Sequence, residues 1–314
     1  MNIRIAHPYH RGRAGVSPMR IQFAAFFCCF LVWAMAATPA GAKNRALPPS
    51  YDASGLLKIN LDYYELAAAT GGDFYFWGPG EFSASGIQIP LEQEPILLVY
   101  DVLGRRTRSF WFPVDTVSER FSVFAGAQRK DVFQLIRPSG GIVAEGETDV
   151  LVQEFHHMLI VTVTKPELGI WRIDLNGAGR FSLSVRLRMN RVRAAGGHRT
   201  GPLAVIDFDF VELRGRPGHE GYFPITGEVG AGEDRLCQVV LSGAYETADF
   251  QFVSTEDELL AGLDLARDDP DGASDEFLGS CVIPVQPFRL KVRGRDAWGV
   301  EYQRMYSPLY TPKN

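Results

Sequence analysis

The sequence predicts a mainly β protein built as two tandem β-sandwich domains, the second immunoglobulin-like, behind a short N-terminal helix–strand piece. Three observations carry this expectation. From residue 96 onward, short strand-like runs recur between turn residues such as Gly104, Pro138-Ser139-Gly140-Gly141, Pro166 and Asn176-Gly177, the spacing of a sandwich or barrel. The stretch RAAGGHRTGP at 193–202 divides those runs into two series. Upstream, the best helical spacing lies in one segment, 56–70.

The N-terminus reads as an export leader. Arg4, Arg11, Arg13 and Arg20 precede an apolar run over 21–37, with no acid among them. Thr38-Pro39-Ala40-Gly41-Ala42 then places small residues for a cut after Ala42. Met19 is a candidate start beside Met1. The expected organisation is a signal peptide over 1–42, a lead-in with the helix–strand piece over 43–95, a first β-sandwich over 96–195, a linker over 196–203 and an immunoglobulin-like β-sandwich over 204–314. The expected location is secreted or periplasmic. No stable membrane span is expected after cleavage, since an apolar run of about 17 residues is at the short limit for a span.

In the lead-in, Leu57, Leu61, Tyr64 and Ala68 recur near i, i+4, i+7, which predicts a helix over 56–70. Gly71-Gly72 ends it. DFYFW at 73–77 then reads as a short aromatic strand, closed by Gly78-Pro79-Gly80. The first series predicts strands at 96–102, 109–114, 120–124, 132–136, 158–164, 171–175 and 180–192. The last alternates most cleanly. Phe181, Leu183, Val185, Leu187 and Met189 share one face, and Ser182, Ser184, Arg186, Arg188 and Asn190 share the other. That is a half-buried strand, and LNGAG at 175–179 before it suits a hairpin. The second series predicts strands at 203–213, 222–229, 236–241, 248–254, 277–283, 288–292 and 300–305. Seven strands over about 110 residues is the size of an immunoglobulin-like sandwich.

Charge and cysteine use narrow the chemistry. The chain carries a net −5, and losing four Arg with the leader takes it to −9. Residues 204–314 hold 20 acidic and 10 basic side chains, so no nucleic-acid partner is expected. Cys28 and Cys29 leave with the leader, and the remaining pair, Cys237 and Cys281, is expected to form a disulfide. His156 and His157 are adjacent. On a strand they point to opposite faces and cannot readily share a metal. Ser83, Ser85 and Ser139 lie in Gly/Pro-rich turns, without the setting of a nucleophile elbow. No catalytic, cofactor-binding or metal residue is therefore expected, and no cofactor.

Two charged stretches stand out. From Glu256 to Glu276 there are nine acids and one Arg, centred on Asp268-Asp269-Pro270-Asp271-Gly272. Hard oxygens on a Gly turn suit calcium. However, Arg267 takes the place of a first ligand and no Glu closes the loop, so a solvated loop is favoured over calcium. The run Arg186, Arg188, Arg191, Arg193 and Arg199 holds no acid. Three readings are open for it: an anionic polysaccharide or lipid headgroup, the acidic second domain, or solubility alone.

Three passages carry a resemblance. They are SFWFPVD (109–115) leading to FQLIRPSGGIV (133–143), then KPELGIWRIDLNGAGRFSLSV (165–185), then PVQPFRLKVRGRDAWGVEYQR (284–304). In this order they resemble the region that follows the von Willebrand factor A domain in hemicentin-like extracellular proteins. LDYYELAAATGGDFYF (61–76) resembles the last helix and strand of that A domain. Asp52-Ala53-Ser54-Gly55-Leu56 lacks the second Ser of its metal loop, so metal-dependent adhesion is not carried over. The resemblance implies a secreted, non-catalytic binding, adhesion or assembly protein acting through β-sandwich surfaces. Its partner would be a protein, with one bearing a von Willebrand factor A domain among the candidates. The alternative, motivated by export and by the aromatic and acidic clusters, is a secreted hydrolase or accessory carbohydrate-binding protein.

Overall fold

A computed structural model describes residues 50–78, 81, 94–189, 202–268 and 275–313. Among them are fifteen strands in three antiparallel sheets and one helix, a mainly β fold. The leader, most of the linker, Arg191, Arg193, Arg199, Ser83 and Ser85 lie outside the described residues.

The first β unit is a single sheet folded over on itself. It comprises β1 (Glu94–Gly104), β2 (Arg108–Val114), β3 (Ser118–Ile136), β4 (Val150–Glu154), β5 (Met158–Thr164) and β6 (Gly169–Met189). The first half of β6 pairs with β2, from Val114↔Gly169 to Arg108↔Leu175. Its second half pairs with β1, from Gly104↔Ala178 to Glu94↔Leu187. β3 runs antiparallel to both halves, with bulges between Ala127/Arg129 and Lys130/Val132. Bulges bend and twist a strand, so β3 and β6 each serve two layers. Four expected strands, 120–124, 132–136, 171–175 and 180–192, are thus two long ones. The expected hairpin at 175–179 is a bend inside β6. Gly177 is needed there because a Cβ would lie 2.2 Å from the Arg129 carbonyl oxygen. Trp171 of one layer meets Phe121 of the other edge-on at 4.8 Å, and its indole N–H donates to Glu167 O at 2.8 Å.

Helix α1 (Leu61–Thr70) begins later than the spacing predicts. The Asn60 side chain accepts from Tyr63 N, and Gly71 caps the C-terminus at φ 69°. An Asn N-cap contributes about 1 kcal/mol. Upstream, Leu57 N donates instead to Gln128 O. The expected strand at 73–77 is a correction: these residues pair with no sheet. They cross the outer face of β6 as a strap. Ser182 Oγ donates to Phe74 O at 3.1 Å, and the Arg186 guanidinium holds both Asp73 oxygens at 3.1 Å. The face expected to be wet is therefore covered, with Ser182 and Ser184 buried. β1 is buried on both sides. Leu97 and Val99 enter the core of the folded sheet, whereas Leu98 and Tyr100 meet Tyr64 and Phe76 together with Val253 and Met305 of the second β unit.

That second unit is a sandwich of two sheets. It comprises β7 (Ala204–Arg216), β8 (His219–Pro224), β9 (Asp234–Ser242), β10 (Tyr245–Val253), β11 (Leu259–Leu263), β12 (Ala266–Arg267), β13 (Glu276–Val282), β14 (Arg289–Asp296) and β15 (Glu301–Met305). The sheets run β12-β13-β9-β7-β8 and β11-β10-β14-β15, over a core rich in Phe208, Phe210, Phe252 and Phe288. The expected Cys237–Cys281 disulfide is present, with Cα atoms 6.2 Å apart. It joins neighbouring strands β9 and β13 of one sheet, whereas the immunoglobulin hallmark links the two sheets.

The two β units are tied by buried polar contacts. Arg304 pairs with Asp115 at 2.5 Å, with side chains 2% and 0% exposed. Thr116 N donates to Asp296 Oδ2 at 3.1 Å, and Tyr100 N donates to Thr255 O at 3.0 Å. Two arginines satisfy carbonyls where α1 ends. Arg289 of β14 donates to Ala68 O, and Arg186 of β6 donates to Gly71 O. A cation at a helix C-terminus is favoured by the macrodipole, and α1 has no basic residue of its own there.

Candidate functional site

Two surface features concentrate unusual side chains, and both arise from strand alternation. The first is the β7–β8 hairpin. β9 pairs with β7 only as far as Val211, while β8 pairs with β7 from Val211 to Arg216. Residues 212–216 and 219–224 therefore form a two-stranded arm with no third strand among the described residues. Its loop is Pro217-Gly218, with Gly218 at φ +83°, a turn in which proline presets one φ and glycine supplies the positive one. Leu213 faces Tyr222 across the pair, and Glu212 faces Phe223. Leu213, Tyr222 and Phe223 are 58%, 37% and 48% exposed. On the face with Phe223, Arg214 pairs with Glu212.

The second feature is a cleft of about 550 Å³ where β2 meets the outer face of β10–β14. Phe110 and Phe112 of β2 point into the core, so Trp111 points out and is 57% exposed. It stands at the cleft beside Gln251, Glu256, Lys291 and Arg293. Lys291 forms an ion pair with Asp257. Burial pushes the Asp257 carboxyl up and the Lys291 amine down, and their mutual attraction opposes both shifts. Asp257 is held at φ +68°, an uncommon backbone for a non-glycine residue. A shallower trough of about 220 Å³ continues past Gln251 and Arg293 toward Thr247, Asp249 and Glu301.

The residues singled out in the sequence are placed differently. Arg186 is largely buried on Asp73, and Asp73 raises its guanidinium against the opposing effect of burial. Arg188 is 54% exposed and lies 3.4 Å from Glu119. Asp52 accepts from Ser54 N and Leu56 N at 2.8 and 3.0 Å, and these bonds lower its pKa. Its carboxylate serves a turn. Ser139 donates to Glu167 at 2.9 Å. Of the loop weighed for calcium, Asp268 is described and 269–272 lie outside the described residues, and no cluster able to hold a metal exists among those described. Among the described residues no helix is long and apolar enough to cross a membrane.

His157 is buried, and its Nε2 lies 3.1 Å from the Tyr51 hydroxyl. Burial first, and His156 second, lower its pKa. The arrangement ties the N-terminal lead-in before α1 to the β4–β5 turn. The arm and Trp111 were not singled out from sequence. Their signals were present: Arg-Pro-Gly between two strand-like runs, and a Trp in the alternating string Phe110-Trp111-Phe112.

Comparison with known proteins adds little. No family model matches the chain, and no curated protein matches it. One similar solved chain is a lipase from Bacillus licheniformis in its propeptide form. It has a TM-score of 0.31 and 9% identity over 73% of this chain and 45% of that chain. The match thus spans less than half of the lipase's length, and at this TM-score it carries no argument about fold or chemistry.

Proposed function

We propose that the protein is a non-catalytic binding or assembly protein that engages a protein partner through the β7–β8 arm. The observation that carries the reading is the exposure of Leu213, Tyr222 and Phe223 on a two-stranded ribbon. An isolated two-stranded ribbon is marginal in water, and the Leu213–Tyr222 pair on one face, with Phe223 on the other, exposes apolar surface of the kind that marks interaction sites. Tyr and Phe anchors are typical of the centre of a protein interface. β8 also leaves a free backbone edge, because β7 is its only neighbour among the described strands, and an extended segment can add to such an edge. The leader and the disulfide support a setting outside the reducing cytoplasm. The resemblance makes a protein bearing a von Willebrand factor A domain the first partner to test. The experiment compares wild type with Leu213→Asp/Tyr222→Asp as bait against the exported proteins of the source organism. A partner captured by wild type and lost from the double variant is expected. An identical set of captured proteins for both baits rejects the arm as the interface.

A further inference from the structure

We propose that the cleft between β2 and the β10–β14 face is a binding site for a neutral oligosaccharide. The argument starts from what a pyranose presents: an apolar C–H face and a rim of hydroxyls. The C–H face is matched by an exposed aromatic ring on a rigid element. Trp111 is such a ring, 57% exposed on a strand hydrogen-bonded to β6 along its length. The hydroxyls are matched by planar groups that donate or accept two hydrogen bonds at once. Gln251, Arg293 and Glu256 line the same cleft. Among the described residues no hydrogen bond or ion pair engages the Gln251 or Arg293 side chain, although Arg293 lies across from Asp249 of β10 and acts electrostatically on Asp257. Glu256 accepts one bond, from Thr255.

Charge balance selects a neutral ligand. Arg108 is held by Asp101, and Lys291 by Asp257. That leaves Arg293 and Glu256 facing the cleft, and the trough beyond adds Asp249 and Glu301 against Arg295. A polyanion would need a surplus of cations that the site does not have. Size selects an oligomer. A volume of about 550 Å³ lies in the usual range for small ligands, and the trough beyond Gln251 extends it along the sheet. Preorganisation supports the assignment, since the buried Lys291–Asp257 pair fixes the floor before anything binds. The cleft is separate from the β7–β8 arm.

The test titrates full-length protein with neutral tetrasaccharides of glucose, mannose, xylose and N-acetylglucosamine, and with a galacturonic acid tetramer as the anionic probe. Intrinsic tryptophan fluorescence and calorimetry give the readout. Saturable binding of at least one neutral probe is expected. Trp111→Ala should weaken it by about tenfold or more, and Arg293→Ala by several-fold, with thermal melts unchanged because both side chains are exposed. Leu213→Asp/Tyr222→Asp should leave it unchanged, so this outcome is independent of the arm. The proposal is overturned if no neutral probe saturates at millimolar concentration. It is equally overturned if only the galacturonic acid tetramer binds, or if Trp111→Ala and Arg293→Ala bind as wild type does.

Discussion

Asp209 illustrates how a single side chain can be held against its own preference. It shares β7 with Asp207, two residues away, so the alternation of the strand puts both carboxylates on one side. Burial, and then the Asp207 charge, raise it from 3.8 to about 6. The folded state therefore binds this proton more tightly than the unfolded chain does. The stabilisation it gives is complete below the unfolded value and is lost as pH rises through about 6. At neutral pH the charge is a net cost, reduced by the solvent that still reaches it. Asp209→Asn should raise the melting temperature by about 2–4 °C near neutral pH. The gain should vanish below the unfolded pKa, where both side chains are uncharged. Melts of both proteins across this range check the prediction, and an equal shift at every pH would contradict it.

At the scale of elements, the bend of β6 is the feature on which the first β unit turns. Gly177 is in contact with the β3 backbone, where a Cβ would meet Arg129 O at 2.2 Å. Gly177→Val should cost more than about 3 kcal/mol, since a backbone neighbour cannot rotate away as a side chain can. Gly140→Ala, in open space but at φ +90°, should cost less. Urea denaturation of the two variants separates close approach from backbone conformation. The same bend explains what the sequence concealed. Strands such as 109–114 and 158–164 were legible because their apolar runs end at residues that break the strand. Asn176-Gly177 carries the same residues as a hairpin turn, and only the bulged partner strand makes it a bend. The aromatic string at 73–77 has strand composition, yet its partners are side chains and isolated carbonyls. Arg186 looked exposed because its acid, Asp73, is 113 residues away. The candidate sites stayed hidden for a related reason. Trp111 and Arg293 come from different β units, and no local pattern records that they line one cleft.

For the whole molecule, the decisive contact is the Arg304–Asp115 pair between the two β units. Breaking a buried pair by removing one partner leaves a charge without compensation, at about 3–5 kcal/mol. Asp115→Ala should show that loss in chemical denaturation. Asp115→Leu/Arg304→Met, which removes both charges and restores apolar contact, should recover most of it. A double variant no more stable than Asp115→Ala would mean that the hydrogen bonds of Arg304 to Leu203 O and Gln303 O matter more than the ion pair. With Thr116, Tyr100 and the two arginines at the end of α1, this pair joins the two β units whose strands line the cleft beside Trp111.

The pairing of β1 with β6 has a consequence for biogenesis. Glu94 is paired with Leu187, so the strand Ile-Leu-Leu-Val-Tyr is made long before its neighbour. At a synthesis rate of about 5–20 residues per second, the ribosome supplies that neighbour roughly 5–20 s later. Throughout the delay an apolar segment destined for burial on both faces has nothing to cover it. A chaperone that recognises short apolar stretches would find its binding site there, and nascent chains stalled between β2 and β6 should be the ones it retains.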